Sequence, residues 1–197
     1  MKTLIQFLFF AACIALYATC QQADQVMDDL SGAQLKKAQP ITVTVPFKFE
    51  GISYFTSMTE DAECGSAEDG IYRIVVDGPG NATEMGKLLF HAEFCCNTVT
   101  GEYGFGSGIM YFEAANGDRI YLKSVSSSNF IVDPEPGDPP YYLNKWHQTN
   151  IITGGTGRFE GASGELESFG YNRIEPEYQD RSFHLTTGNL TLIKGKR

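Results

Sequence analysis

The sequence predicts an all-β domain, an eight-stranded antiparallel β-barrel, with a β-sandwich as the alternative. Three observations carry this. Residues 41–50, ITVTVPFKFE, alternate apolar and polar, and period two marks a half-buried strand. Asn116-Gly117 lies between two strand-like runs, where that pair signals a hairpin. No window of a dozen residues after residue 40 carries a helical period. Successive hairpins must hide their sheet edges, and closure into a barrel does so.

The first 39 residues stand apart from that domain. Lys2 precedes an apolar run from Leu4 to Leu16, broken only by Gln6. Such a run is short for a membrane span and is flanked like a secretory signal, read here as residues 1–19. Tyr17-Ala18-Thr19-Cys20 approximates a bacterial lipobox, so Cys20 is a candidate lipidation site. Ordinary cleavage near Ala18 to Ala23 is the alternative. Residues 20–39 are polar with scattered Val26, Met27, Leu30 and Leu35, and read as a tether. The expectation is an exported protein of the envelope or the exterior, touching a membrane only through a lipid anchor.

From residue 40 to 197 the chain of 197 residues reads as one domain. In the first strand Ile41, Val43, Val45, Phe47 and Phe49 share one face, and Thr42, Thr44 and Lys48 the other. The apolar five are expected inside. Pro46 cannot donate a ladder hydrogen bond and predicts an edge or bulge. ISYFTSM continues the strand, and residues 59–70 form an acidic loop. IYRIVVD follows and is expected to end in a turn at Gly78-Pro79-Gly80. KLLFHAEFCC runs to a turn at Thr100-Gly101. YGFGSGIMYFEA then leads to the Asn116-Gly117 turn, expected to be type I′, with positive φ at both positions. Gly104, Gly106 and Gly108 predict strong bending. RIYLKSVSSSNFIV comes next, and the four prolines of residues 133–140 predict an exposed connection. YYLNKWHQTNIIT, GELESFGYN and SFHLTTGNLTLI complete the strands.

Beyond the signal, three cysteines fall in the domain: Cys64 in the acidic loop, and Cys95 and Cys96 at a strand end. Export favours a disulfide, from Cys64 to Cys95 or Cys96. Neighbours on a strand point to opposite faces, so one of the pair stays a thiol. His91 lies four residues from Cys95, but no second ligand pair follows, and no metal site is predicted.

The stretch GGTGRFEG, residues 154–161, invites a phosphate-loop reading. A dinucleotide motif would need glycine where Glu160 stands, and a helix after it. The sequence instead reads as a tight turn between strands, with Phe159 plugging a barrel end. Ala162 and Gly164 leave room for a crossing strand. No cofactor is predicted. The net charge of −9 offers no basic stripe for nucleic acid.

The same segment, GGTGRFEGASGE, resembles the G-G-T-G-x-F-x-x-A-x-G signature of the allene oxide cyclase and dirigent-like (calycin-like) β-barrels. GNATEMGKLLF and AANGDRIY resemble segments of small secreted bacterial proteins with this barrel. The resemblance spans roughly residues 40–195. It implies an eight-stranded antiparallel barrel in which the signature marks a late hairpin. It implies no particular activity, and no catalytic residue carries over.

His91, His147 and His184 sit on strand-like segments with no motif around them. Each reads as a surface or packing residue. Glu165 and Glu167 share a strand face, which does not make a glycosidase pair. Tyr142 and Trp146, in an aromatic cluster, are candidate ligand contacts. The expected function is a barrel holding a hydrophobic or aromatic small molecule, or a protein partner, with mainly apolar lumen walls. A cyclase- or isomerase-like enzyme and a structural or adhesive surface protein are the alternatives. A cavity above roughly 300 Å³ lined by converging titratable groups would favour the enzyme.

Overall fold

The computed structural model describes residues 40–104, 108–126, 142–173 and 180–195. The side chains of residues 142–144 and 173 lie outside the described set. So do the signal and tether segments, Cys20, Gly106 and residues 133–140. Nine strands are described: β1 (Ile41–Thr59), β2 (Ile71–Ala82), β3 (Gly86–Asn97), β4 (Tyr103–Gly104), β5 (Met110–Ala114), β6 (Arg119–Ser124), β7 (Tyr142–Gly155), β8 (Ser163–Arg173) and β9 (Arg181–Lys194).

All pairings are antiparallel. Around the barrel the order is β1, β2, β3, β5, β6, β7, β8 and β9, and β9 pairs back onto β1. Eight strands therefore close on themselves, and the short β4 adds to one end of β3. The barrel is as expected, and the sandwich alternative falls, because closure leaves no long edge.

The register of β1 follows its period. Phe47 and Phe49 are buried, and Thr42, Thr44 and Lys48 are exposed. Val43 and Val45 are half-buried. Ile41 departs from the expectation: it is 67% exposed, because it lies at the first pair of β1 with β9, beyond the packed interior. Pro46 lies where β1 pairs with β9 alone, since pairing to β2 starts at Phe49. That stretch is a local edge, which tolerates proline.

Two turns differ from expectation. Gly78-Pro79-Gly80 is not a turn: β2 runs through it, and the chain reverses at residues 83–85. The glycines serve packing. A Cβ on Gly78 would strike the β1 backbone at Ile52, and one on Gly80 would strike the Phe49 ring. The β5–β6 hairpin forms at the expected place, but only Gly117 has positive φ, at 85°. Ala114 and Asp118 close a three-residue loop, a type I turn with its left-handed glycine rather than a type I′ pair.

One end of the barrel is solid. Phe47, Ile120, Phe159, Leu166 and Leu190 are at most 2% exposed. Phe159 plugs this end from the one-turn 3-10 helix Gly157–Phe159, between β7 and β8. Gly157 and Gly161 take positive φ of 56° and 74°, which side chains rarely adopt. A Cβ at Gly164 would collide with the Asn189 carbonyl of β9. The glycine-rich stretch is thus a plugged β-turn.

Cys64 and Cys95 form a disulfide with Cα atoms 5.2 Å apart. Cys96 is a half-buried free thiol on the other face, and burial pushes its pKa up. The bridge ties the β1–β2 loop to β3. Arg73 on β2 pairs with Asp61 and Glu63 of that loop.

Candidate functional site in the barrel lumen

Above the plug the barrel encloses a cavity of about 260 Å³. Its wall has two chemical halves. The half built from β2, β3, β5 and β6 is apolar: Val76, Phe90, Phe94, Met110, Phe112 and Leu122. Phe90 and Phe112 meet with ring centroids 5.5 Å apart. The other half, from β7, β8, β9 and the end of β1, is polar. It presents Ser53, Gln148, Asn150, Ser168, His184 and Thr186. No Asp, Glu, Lys or Arg lines the cavity among the described residues. The apolar walls of the expectation thus fill half the lumen, and the polar half was not foreseen.

Strand alternation sets the polar half. Along β7 the cavity-lining residues are Trp146, Gln148 and Asn150, two apart. His147 and Thr149 point out and bind Glu167. Along β9 Ser182, His184 and Thr186 line the cavity, while Leu185 is 39% exposed.

His184 centres the upper part. Its cross-strand partners are Gly51 on β1 and Gly170 on β8, so both flanking positions lack side chains. The freed space holds rings. Trp146 packs edge-on to His184 at 4.8 Å between centroids, and Phe90 lies at 5.2 Å. Ser53 Oγ and His184 Nε2 are 2.6 Å apart. Trp146 Nε1 donates to Ser182 Oγ at 2.9 Å. Burial without a charged partner lowers the His184 pKa to about 3, so the imidazole is neutral.

Lower down, Asn150 Nδ2 donates to Ser168 Oγ at 3.0 Å. Ser168 Oγ and Thr186 Oγ1 share a hydrogen bond of 2.9 Å. Gln148 is 4% and Asn150 1% exposed. Among the described residues, Gln148 Nε2 and Asn150 Oδ1 nonetheless have no hydrogen-bond partner. An orphan of this kind costs on the order of 1–3 kcal/mol, so a partner supplied to these two atoms would stabilise the site most.

A Ser–His contact invites a nucleophile–base reading. The electrostatics oppose it. A base held near pKa 3 accepts a proton poorly at neutral pH. Among the described residues no carboxylate orients the ring. What the lumen offers is neutral hydrogen bonding opposite an aromatic face.

Of the candidate ligand contacts, Trp146 lines the cavity, whereas Tyr142 opens β7 with its side chain outside the described set. The other two histidines face outward. His91 pairs with Asp77 and Glu93, and His147 with Glu167. Among the described residues, no three His, Cys, Asp or Glu side chains gather to hold a metal ion. Sequence reasoning missed Ser53, Gln148, Asn150, Ser168, His184 and Thr186. The available signal was a run of alternate polar positions on β7, β8 and β9.

The closed barrel with a two-faced lumen defines the class of protein. No protein-family model matches the chain, and no curated protein matches it. Among solved structures the chain is similar to a dirigent protein, the pterocarpan synthase GePTS1. The identity is 11% and the TM-score 0.45, with 83% of this chain and 95% of that chain covered. The barrel assignment rests on the strand register above.

Proposed function

We propose that this protein is an exported barrel that binds an apolar or aromatic small molecule in its lumen. The observation that carries the reading is the pair of buried, unpartnered amide atoms of Gln148 and Asn150, facing an aromatic wall across a cavity. Small-molecule sites combine a mostly apolar lining with a few placed polar groups. The cavity, at about 260 Å³, lies below the size set for the enzymatic alternative, and His184 is poorly suited to proton transfer. The Cys64–Cys95 bridge supports export, since disulfides persist in oxidising compartments. A lipid anchor at Cys20 belongs to the same proposal. The signature resembling allene oxide cyclase and dirigent-like barrels, and small secreted bacterial proteins, implies the barrel and assigns no substrate.

Trp146 is the sole tryptophan and lines the cavity, so its emission reports on the lumen. Bromobenzene, an apolar heavy-atom quencher, is expected to quench it saturably. Ala92, 1% exposed on the apolar wall, supplies the control: Ala92→Met fills the cavity and should abolish saturation. Purely collisional quenching, unchanged in Ala92→Met, would refute lumen binding.

A further inference from the structure

The two orphan atoms differ in kind. Gln148 Nε2 is a donor without an acceptor, and Asn150 Oδ1 is an acceptor without a donor. They come from adjacent inward positions of one strand, whose Cα atoms stand about 6.6 Å apart. Asn150 is fixed by its bond to Ser168, so its Oδ1 is held in place. The Ser168–Thr186 pair supports that orientation from the next two strands.

We propose that the lumen recognises an uncharged, largely aromatic ligand whose polar edge sets an acceptor beside a donor, as a carboxamide or a lactam does. The inference rests on the lumen-binding reading and names its ligand class. The amide carbonyl accepts from Gln148 Nε2, and the amide N–H donates to Asn150 Oδ1. The ring lies against Phe90 and Phe112 on the opposite wall. A carboxylate is excluded twice. It has no proton for Asn150 Oδ1, and no cationic side chain lines the cavity to offset its desolvation. The neutral state of His184 withholds the remaining candidate positive charge. A plain arene fits the apolar half and leaves both orphans unpaired.

Three matched probes separate these cases through quenching of Trp146 at neutral pH: 4-bromobenzamide, 4-bromobenzoate and bromobenzene. The amide is expected to bind about tenfold more tightly than bromobenzene, a gain in line with two hydrogen bonds to otherwise unpaired buried groups. The benzoate is expected to bind more weakly than either. Gln148→Leu and Asn150→Leu should each remove most of the amide's advantage while bromobenzene still saturates, which shows the barrel intact. Bromobenzene binding with no preference for the amide, a benzoate that binds as well, or an advantage that survives both leucine variants would overturn this inference and leave the lumen-binding reading standing. Absence of saturable quenching by all three probes would overturn both.

Discussion

The indole of Trp146 lies over Gly170, in the space that a Cβ at position 170 would need. The two residues are cross-strand partners on β7 and β8. The missing side chain lets the indole lie flat, reach Ser182 Oγ and meet His184 edge-on. Gly170→Ala is therefore expected to displace the ring and destabilise the fold by about 1–3 kcal/mol, the cost of overpacking. Its emission should shift as the indole loses Ser182. Gly104→Ala is the control, since a Cβ there meets nothing within 4 Å. Denaturant unfolding of both variants checks the contrast.

The register of β1 makes a second contrast. Phe49 is 1% exposed and packs on Phe112 with centroids 4.7 Å apart. Phe49→Ala should cost about 3–5 kcal/mol. Ile41→Ala, at an exposed position of the same face, should stay within about 0.5 kcal/mol of wild type. Comparable losses in the two variants would contradict the placement of the packed interior.

The disulfide closes a sequence separation of 31 residues. In the chain-entropy model this contributes roughly 3–4 kcal/mol. Replacing Cys64 and Cys95 together by serine should lower stability by about that amount. Cys96 should alkylate slowly in the native protein, since burial favours the neutral thiol. Rapid native-state labelling of Cys96 would contradict its burial.

The neutral lumen histidine predicts a pH dependence. His184 is held near pKa 3 in the barrel, against an ordinary value of 6.5. Between those values the unfolded chain binds a proton that the folded chain refuses. Stability from this group is complete above about pH 6.5 and is lost as pH falls from there towards 3. Across the whole window a shift of that size corresponds to a loss of about 5 kcal/mol. His184→Gln should show a shallower fall in melting midpoint through that window. Parallel curves for the two proteins would contradict a neutral, desolvated His184.

The contrast between what the sequence revealed and what it hid has a physical basis. Strand β1 was legible because its apolar residues face the core and its polar ones face solvent. On β8 and β9 the pattern inverts. Phe169 and Leu185 point outward and are exposed, while Ser168 and Thr186 are buried. A period-two reading by hydrophobicity turns these strands inside out, and that hid the polar half of the lumen. The Ser53–His184 contact joins residues 131 positions apart, so no local motif could announce it. Gly78 and Gly80 suggest a turn in the sequence because glycine serves reversal and close packing alike, and only the neighbouring strand decides between them. The glycines after β7 were legible, since Glu160 and the strands on either side left no room for a phosphate-binding helix.

The most direct test of a ligand-binding lumen is the anomalous signal of bromine in a crystal grown with 4-bromobenzamide. The structure predicts a single bromine peak inside the barrel, with the ring against Phe90 and Phe112 and the amide between Gln148 and Asn150. A lumen holding only ordered water on those two side chains, with bromine absent or on the outer surface, would contradict the account.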